Sequence, residues 1–169
     1  MSVSMCRLTV PSLLRGFFVL GNYIQRAEVH AATNNIDPTS LIQARLAPDM
    51  LTFAGQIQRA SDKSKNGVAR LTGVEAPRFE DNEVSFKDLE ARIAKTVRFL
   101  KSIDEKSFEG SDTRAVEFNA RSIGGKFSGA DYLIDILLPD FFFHVTTAHD
   151  ILRHHEVSVG KADYLARLT

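Results

Sequence analysis

Four stretches of the sequence repeat apolar residues at steps of three and four, and this period constrains the fold more than any other feature. Such spacing places the apolar side chains on one face of an α-helix. The first stretch runs from Pro11 to about Thr33, with Pro11 in the first helical turn. Its apolar positions are Leu13, Phe17, Leu20, Ile24, Ala27 and Ala31. We therefore predict a first long amphipathic helix here.

The second predicted helix follows the sequence NNIDP. Asp37 is expected to cap a short helix from Pro38 to Leu46, with the proline in the first helical position. Pro48 is expected to kink or restart this helix, because proline has no amide proton and its ring clashes with the preceding turn. The continuation is expected to end at Gly73. Its apolar face consists of Met50, Phe53, Ile57, Ala60, Val68 and Leu71.

Capping signals mark two further helices. In the sequence SFKD, Ser85 and Asp88 form a predicted capping box that opens the third helix, which ends near Ile103. Its apolar face consists of Phe86, Leu89, Ile93, Val97 and Leu100. The sequence SGAD caps the fourth helix, which Pro139 interrupts and which then continues to about His155.

Between the third and fourth helices the period changes from helical to alternating. This change covers Thr113 to Phe127, where Ala115, Glu117 and Asn119 alternate with Val116 and Phe118. A following GG pair supplies a turn, so we predict a small β-hairpin. We therefore predict an all-α fold, an antiparallel four-helix bundle with this hairpin between helices three and four. The length of the chain favours a single domain over residues 1–169.

The charge balance and the single cysteine limit the functions to be considered. The chain has 21 basic and 21 acidic residues, and no basic run is long enough to follow a phosphate backbone, so we expect no nucleic-acid partner. Cys6 has no cysteine partner, which favours a reducing compartment. The apolar stretch near the N-terminus is broken by Arg7, Pro11 and Arg15, and about 18 consecutive apolar residues occur nowhere. We expect a cytoplasmic protein without a membrane span.

The segment LPDFFFHVTTAHDILRHHEV, residues 138–157, carries four of the five histidines. At ~100° per residue, His144 lies within the apolar stripe of the fourth helix, while His149 is expected to face water. A metal site on one helix needs histidines four residues apart, and these two are separated by five. A two-histidine metal site on this helix is therefore not favoured. His144 is either a functional group or a core histidine bonded to a neighbouring helix.

Asp49 and Gln56 are the polar residues of the second predicted helix that could reach His144. They lie seven residues apart, on one line of that helix. A carboxylate meeting His144 would orient the imidazole and raise its basicity, as general-base catalysis requires. Alternatively, Asp49 only stabilises the first helical turn. Further candidates for the rim or wall of a pocket, each with a structural alternative, are Glu28, Arg45, Phe53, Tyr132, Asp140 and Phe141.

Long strings of this sequence resemble an uncharacterised-domain family that is grouped with the DinB/YfiT-like helix bundles. The strings are ARLAPDM at 44–50, LTGVEAPRFEDNE at 71–83, EDNEVSFKDLEARIAKTVRFL at 80–100 and LPDFFFHVTTAHDILRHHEVSVGKADYL at 138–165. This resemblance covers nearly the whole chain. It implies a four-helix bundle, often dimeric, with a divalent metal held by a histidine of helix two and an H-x-x-x-H pair of helix four.

The resemblance assigns only part of that metal site to this chain. His144 takes the first position of the helix-four pair, Ala148 takes the second, and Asp49 takes the helix-two position. One carboxylate and one imidazole thus stand where three imidazoles are expected, and two ligands rarely hold zinc or nickel firmly. Some members of the wider group resemble thiol transferases or metal-dependent isomerases and hydrolases.

These observations lead to one main hypothesis and two alternatives. In the main hypothesis, His144 and Asp49 form a metal-free acid–base pair in a largely apolar pocket, with Gln56 or Arg45 steadying an oxyanion. The substrate is a small hydrophobic molecule, the reaction an isomerisation, dehydration or cyclisation, and no cofactor is expected. One alternative is a DinB-like transferase, isomerase or hydrolase with a weakly bound divalent metal on Asp49, His144, Glu28 and water. The other is a non-catalytic ligand-binding bundle; a homodimer is implied by the resemblance alone.

Overall fold

A computed structural model of the chain describes residues 3–120 and 123–165. Within these residues the protein is mostly helical and contains one small antiparallel hairpin. The longer helices are α1 (Met5–Asn34), α3 (Phe53–Thr72), α4 (Phe86–Ser102) and α6 (Leu138–His154). The shorter elements are α2 (Pro38–Ile42), a 3-10 helix (Glu105–Phe108), β1 (Ala115–Ala120), β2 (Ile123–Ser128), α5 (Gly129–Asp131), a π-helix (Tyr132–Leu137) and α7 (Lys161–Tyr164).

Helix α1 begins almost two turns before the predicted start. The hydroxyl of Ser4 accepts a hydrogen bond from the amide of Arg7 at 3.2 Å and caps the helix, so Pro11 lies inside it. The predicted start at Pro11 was wrong because Ser4 supplies an earlier cap, and a proline near the N-terminus of a long helix forfeits only one hydrogen bond. The helix ends at Asn35, whose φ of 54° places it in the left-handed region.

The second predicted helix divides differently from the expectation. Asp37 caps α2 as predicted, through a bond from the Thr39 amide at 2.9 Å, but α2 ends at Ile42 and does not reach Leu46. Thr52 then caps α3, its hydroxyl accepting from an amide one turn later at 3.0 Å. Pro48 and the residue before it disfavour helical backbone. Residues 43–52 therefore form a loop, and Asp49 lies on it rather than on a helix.

The other predicted caps of the second and third helices are confirmed. Helix α3 ends at Gly73, which has a φ of 79° that glycine adopts without steric cost. Ser85 and Asp88 form the capping box of α4: the Asp88 amide donates to the Ser85 hydroxyl at 3.1 Å, and the Ser85 amide donates to the Asp88 carboxylate at 2.9 Å. Helix α4 ends at Ser102, beside the predicted end.

The connection between α3 and α4 is fixed by the buried guanidinium of Arg92. Its Nη1 atom lies 2.9 Å from Glu83 and 3.0 Å from Asp81, both on the connection. Its Nη2 atom lies 3.0 Å from Asp62 on α3. Because Arg92 belongs to α4, one side chain joins both helices to the loop between them.

The predicted hairpin is present, with its turn at a different place. Val116 and Phe118 are buried while their neighbours on β1 are exposed, as the alternation indicated. Gly124 and Gly125 are not the turn: they lie in β2, where Gly124 pairs with Asn119 and Gly125 pairs with Phe118. A Cβ on Gly124 would lie 2.7 Å from the Asn119 side chain, so this glycine permits close strand packing. Residues 121 and 122 lie outside the described residues.

The fourth predicted helix is continuous through Pro139. Ser128 caps it as expected, accepting from the Asp131 amide at 3.1 Å. The π-helix follows α5, and the Leu138 amide donates to the carbonyl of Leu133, five residues earlier. This wider turn accommodates Pro139, which has no amide proton and would clash with a carbonyl four residues before it. The predicted interruption is thus a widened turn, and α6 ends at His154, close to the predicted end.

The four longer helices enclose the main core. Helix α1 packs against α4 and α6, and α3 packs against the same two helices. The core includes the buried side chains of Phe17, Tyr23, Phe53 and Phe141. In the described residues, no helix is long and apolar enough to cross a membrane.

Candidate acid–base site

His144 lies on the inner face of α6, as predicted, with 7% of its surface exposed. Its Nδ1 atom is 2.7 Å from the side-chain oxygen of Gln56 on α3. The amide nitrogen of Gln56 donates to the Leu51 carbonyl at 3.3 Å, which turns the amide oxygen toward the imidazole. Because an amide oxygen can only accept, Nδ1 carries the proton of this bond. In the neutral ring, Nε2 is therefore the atom that is free to accept a proton.

The Nε2 atom of His144 faces the carboxylate of Asp140. Their closest atoms, Nε2 and Oδ1, are 3.4 Å apart, longer than an ordinary N–H···O hydrogen bond. Asp140 and His144 are four residues apart on one helix, which places them on the same face. The other oxygen of Asp140 lies 2.7 Å from Nζ of Lys63 on α3. Asp140 thus bridges an imidazole and an ammonium group.

The electrostatic surroundings of Asp140 favour its charged form. Burial acts to raise the pKa of this carboxyl group, but the contacts with His144 and Lys63, together with the positive charges that these groups carry when protonated, outweigh the burial. The pKa of Asp140 consequently lies below its ordinary value of 3.8. An ionised carboxylate therefore lies beside the imidazole near neutral pH.

A cavity of about 360 Å³ opens beside Asp140 and Lys63. Its remaining walls are mostly apolar: Phe118, Ile123, Asp135, Ile136, Pro139 and Phe143. His144 lies behind this wall, with its ring edge-to-face against Phe143 at a centroid distance of 5.5 Å. The cavity is therefore in contact with Asp140, and His144 is the next group inward.

The expected pairing of Asp49 with His144 is not found. Asp49 is exposed on the loop before α3, and within residues 3–120 and 123–165 its carboxylate forms no ion pair or side-chain hydrogen bond. The reason is that α3 begins only at Phe53, so Asp49 does not share a helical line with Gln56. Gln56 does reach the site, but it contacts His144 and does not line the cavity.

The other predicted pocket residues lie away from this cavity. Arg45 and Glu28 are exposed, and Arg45 donates to the carbonyl of Met50. Phe53 and Phe141 are core residues with no exposed surface. Tyr132 is buried, and its hydroxyl accepts from Arg70 at 3.3 Å. Of the predicted rim residues, only Asp140 lines the cavity.

His149 does not face water as predicted. It is half-buried, and its Nδ1 atom lies 2.9 Å from the hydroxyl of Tyr23 on α1. Burial raises the pKa of Tyr23, so the hydroxyl stays protonated in this bond. The prediction from the helical wheel was wrong because α1 covers a wider part of α6 than the apolar stripe alone indicated.

The residues present do not fit the divalent-metal site that the family resemblance implies. Ala148 occupies the second histidine position, is fully buried and offers no ligand atom. Nδ1 of His144 is engaged by Gln56, and Asp49 points outward on its loop. Among the described residues, no group of three or more His, Cys, Asp or Glu side chains is placed to hold a metal ion.

Sequence reasoning missed Lys63 and the partner role of Asp140, although spacing signals were present for both. Lys63 follows Gln56 by seven residues, and in the structure both lie on α3 and face α6. Asp140 precedes His144 by four residues, the spacing that brings two helical side chains together. Once α3 is known to begin at Phe53, these two intervals predict that the four side chains lie close together.

Comparison with known proteins agrees with this geometry at the level of the fold. Residues 5–165 match the model of a family described as Domain of unknown function (DUF1993). The chain belongs to this family. It is also similar to the crystal structure of a DinB family member protein from Shewanella denitrificans, with 35% sequence identity and a TM-score of 0.90. The match covers 97% of this chain and 93% of that one.

The resemblance to an uncharacterised-domain family with a DinB-like fold is thereby confirmed. No match is found among the curated proteins. The family description and the structural neighbour give no substrate or reaction, so the chemistry has to be argued from the site itself.

Proposed function

We propose that this protein is an enzyme that moves a proton on a small, largely apolar molecule by metal-free acid–base chemistry. The proposal takes the four longer helices as an antiparallel bundle whose interior holds the reacting groups. One observation carries it: the free nitrogen of a buried, oriented imidazole faces a carboxylate that itself lines an apolar cavity. Asp140 thus takes the place beside His144 that the sequence had suggested for Asp49, and the contact with substrate passes from His144 to Asp140.

The proposed reaction begins with removal of a proton from a carbon atom of the substrate. Asp140, at the cavity wall, takes this proton, and Nε2 of His144 receives it 3.4 Å behind. The electron pair of the broken C–H bond moves onto a neighbouring carbonyl oxygen. Return of the proton to another position completes an isomerisation, so atoms and electrons balance without an oxidant or reductant.

Lys63 is placed to stabilise the negative charge that develops on the substrate oxygen. Its ammonium group lines the cavity and lies 2.7 Å from Asp140, so it can also contact an oxygen bound beside that carboxylate. A fixed cation in a mostly apolar cavity stabilises an oxyanion more than it would in water. Lys63 takes the role that the sequence had suggested for Gln56 or Arg45.

The cavity limits the substrate class. A volume of about 360 Å³ with mainly apolar walls suits a compact hydrophobic molecule. One polar group, a carbonyl or hydroxyl, has to lie beside Asp140 and Lys63. Dehydration and cyclisation start with the same proton abstraction, so the same groups also suit these two reactions.

Hydrogen–deuterium exchange tests this proposal whatever the final product of the reaction is. Small apolar ketones and aldehydes would be incubated with the protein in D₂O, and deuterium at the carbon beside the carbonyl would be followed by mass spectrometry. We expect protein-dependent exchange for compounds that bind the cavity. H144Q should lower this exchange rate about 100-fold or more, which is the usual contribution of one acid–base group. H154Q, which changes an exposed histidine of the same helix, should keep it.

The outcomes separate the proposal from a ligand-binding role. Compounds that bind in the cavity without any exchange above the protein-free rate would favour the non-catalytic bundle and refute the enzyme. Equal exchange in H144Q and the natural chain would remove His144 from the chemistry. Circular dichroism spectra of both variants verify that a lost rate does not reflect lost folding.

A further inference from the structure

The charged side chains that line the cavity beside Asp140 are unevenly balanced. They are Lys63, Asp135 and Asp140. Lys63 and Asp140 neutralise each other, because Nζ of the lysine lies 2.7 Å from the carboxylate. Asp135 is exposed, and within residues 3–120 and 123–165 it forms no ion pair. Among the described residues, one negative charge of the cavity wall therefore has no counter-charge in contact with it.

The π-helix explains why Asp135 and Asp140 line the same cavity. Five residues of a regular α-helix turn through ~500°, so two side chains five positions apart point ~140° away from each other. Here the Leu138 amide donates to the carbonyl of Leu133, five residues earlier rather than four. This wider turn takes up one extra residue and brings positions i and i+5 toward one face. Single π-helical turns often lie at functional sites.

The rest of the cavity wall around Asp135 is apolar. It consists of Phe118, Ile123, Ile136, Pro139 and Phe143. A charge pair beside apolar groups is screened less than a pair in open water. Phe143, with 56% of its surface exposed, also offers an aromatic ring, and such rings attract organic cations. A ligand with an apolar body and one positive charge therefore matches this wall better than a neutral ligand does.

We infer that the cavity selects small organic cations and that Asp135 recognises their positive charge. The substrates of the proposed enzyme are then compact carbonyl compounds that carry a protonated or quaternary amine. Lys63 and Asp140 act at the carbonyl end, while the carboxylate of Asp135 pairs with the ammonium group and so balances the charge of the filled cavity. The carbonyl end of this assignment rests on the proposed function, whereas recognition of the cation by Asp135 does not.

Two ketones of the same shape test the role of Asp135. One is a cyclohexanone with two methyl groups on the carbon opposite the carbonyl, and the other is the piperidone in which a quaternary nitrogen replaces that carbon. They differ by one positive charge, and neither has a hydrogen-bond donor. By titration calorimetry, the dissociation constant of the charged ketone should be about tenfold lower than that of the neutral one. Added salt should reduce this difference.

Two variants that each remove one negative charge locate the origin of this preference. D135N should bring the two dissociation constants to within about twofold of each other. It should leave the constant of the neutral ketone unchanged, which also verifies that the variant is folded. E117Q changes an exposed residue of β1 that does not line the cavity, and it should keep the preference of the natural chain.

The result for Asp135 can be separated from the proposed chemistry. A natural chain that binds both ketones equally, or binds neither, would overturn the role of Asp135. So would a preference that survives D135N or that E117Q removes as well. Deuterium exchange into the neutral ketone without a charge preference would leave the proposed enzyme and refute the recognition of cations. A charge preference without exchange into either ketone would do the reverse.

Discussion

The acid–base site depends on the side chain of Asp140. It contacts the cavity, the ammonium group of Lys63 and the imidazole of His144 at once. The contacts with Lys63 and His144 stabilise the ionised carboxylate, and so lower the pKa of Asp140 despite its burial. The same contacts that prepare the site should therefore also contribute to the stability of the fold.

The pH dependence of stability should reveal this contribution in D140N. A carboxyl group whose pKa is lower in the folded state stabilises the fold above its unfolded pKa, near 3.8, and loses that effect as pH falls through the folded pKa. Near pH 7 we expect the free energy of unfolding of D140N to be about 1 kcal/mol lower than that of the natural chain. This difference should shrink below pH 3.8. Urea unfolding at several pH values measures this difference.

Asp135 supplies the matched control for this substitution. It also lines the cavity, but its side chain is exposed, and in residues 3–120 and 123–165 it forms no ion pair. D135N should therefore change the free energy of unfolding little at any pH. A D140N difference that stayed constant down to pH 2, or one that D135N reproduced, would contradict the assigned electrostatics.

At the scale of the elements, the contact between α1 and α6 sets how closely the core helices approach. Gly16 on α1 lies against the ring of Phe141: an added Cβ would be 2.2 Å from the ring atom Cε1. Phe141 is fully buried and packs edge-to-face against Phe17 at 5.3 Å, so its ring has no room to withdraw. The glycine therefore fixes the distance between α1 and α6.

Two alanine substitutions in α1 should have opposite effects on stability. G16A should lower the free energy of unfolding by about 1–3 kcal/mol, because the methyl group overpacks the contact with α6. G21A, five residues later, should raise it by up to about 1 kcal/mol, because alanine favours a helix and this position is open. Urea unfolding under identical conditions compares the two variants.

Several helix caps could be predicted from the sequence, although those at Ser4 and Thr52 were missed, while the effect of proline could not. Asp37, Gly73 and the Ser85 box are local signals, and each acts as local rules require. The outcome at the prolines depends on their surroundings. Pro11 lies inside a helix because an earlier cap was available, whereas Pro48 lies in a loop that separates two helices.

At the scale of the whole molecule, the helical period was sufficient to predict a mostly helical chain and to place His144 inward, and the change to alternation was sufficient to predict the small hairpin. The partner of that histidine was mispredicted, because a boundary error of a few residues moved Asp49 onto a helix that it does not join. Contacts between distant segments, such as Lys63 with Asp140, depend on which helices are neighbours. Periodicity describes each helix alone and does not contain that information.

NMR of the imidazole nitrogens is the decisive test of whether a ligand in the cavity affects His144 through Asp140. Small ketones that shift the methyl signals of Ile123 and Ile136 would first be identified as cavity ligands. We expect each of them to shift the Nε2 resonance of His144 as well, to leave the signals of exposed His154 unchanged, and to lose the His144 response in D140N. Ligands that shift both isoleucine signals without shifting the resonance of either nitrogen of His144 would show that binding in the cavity does not affect this histidine.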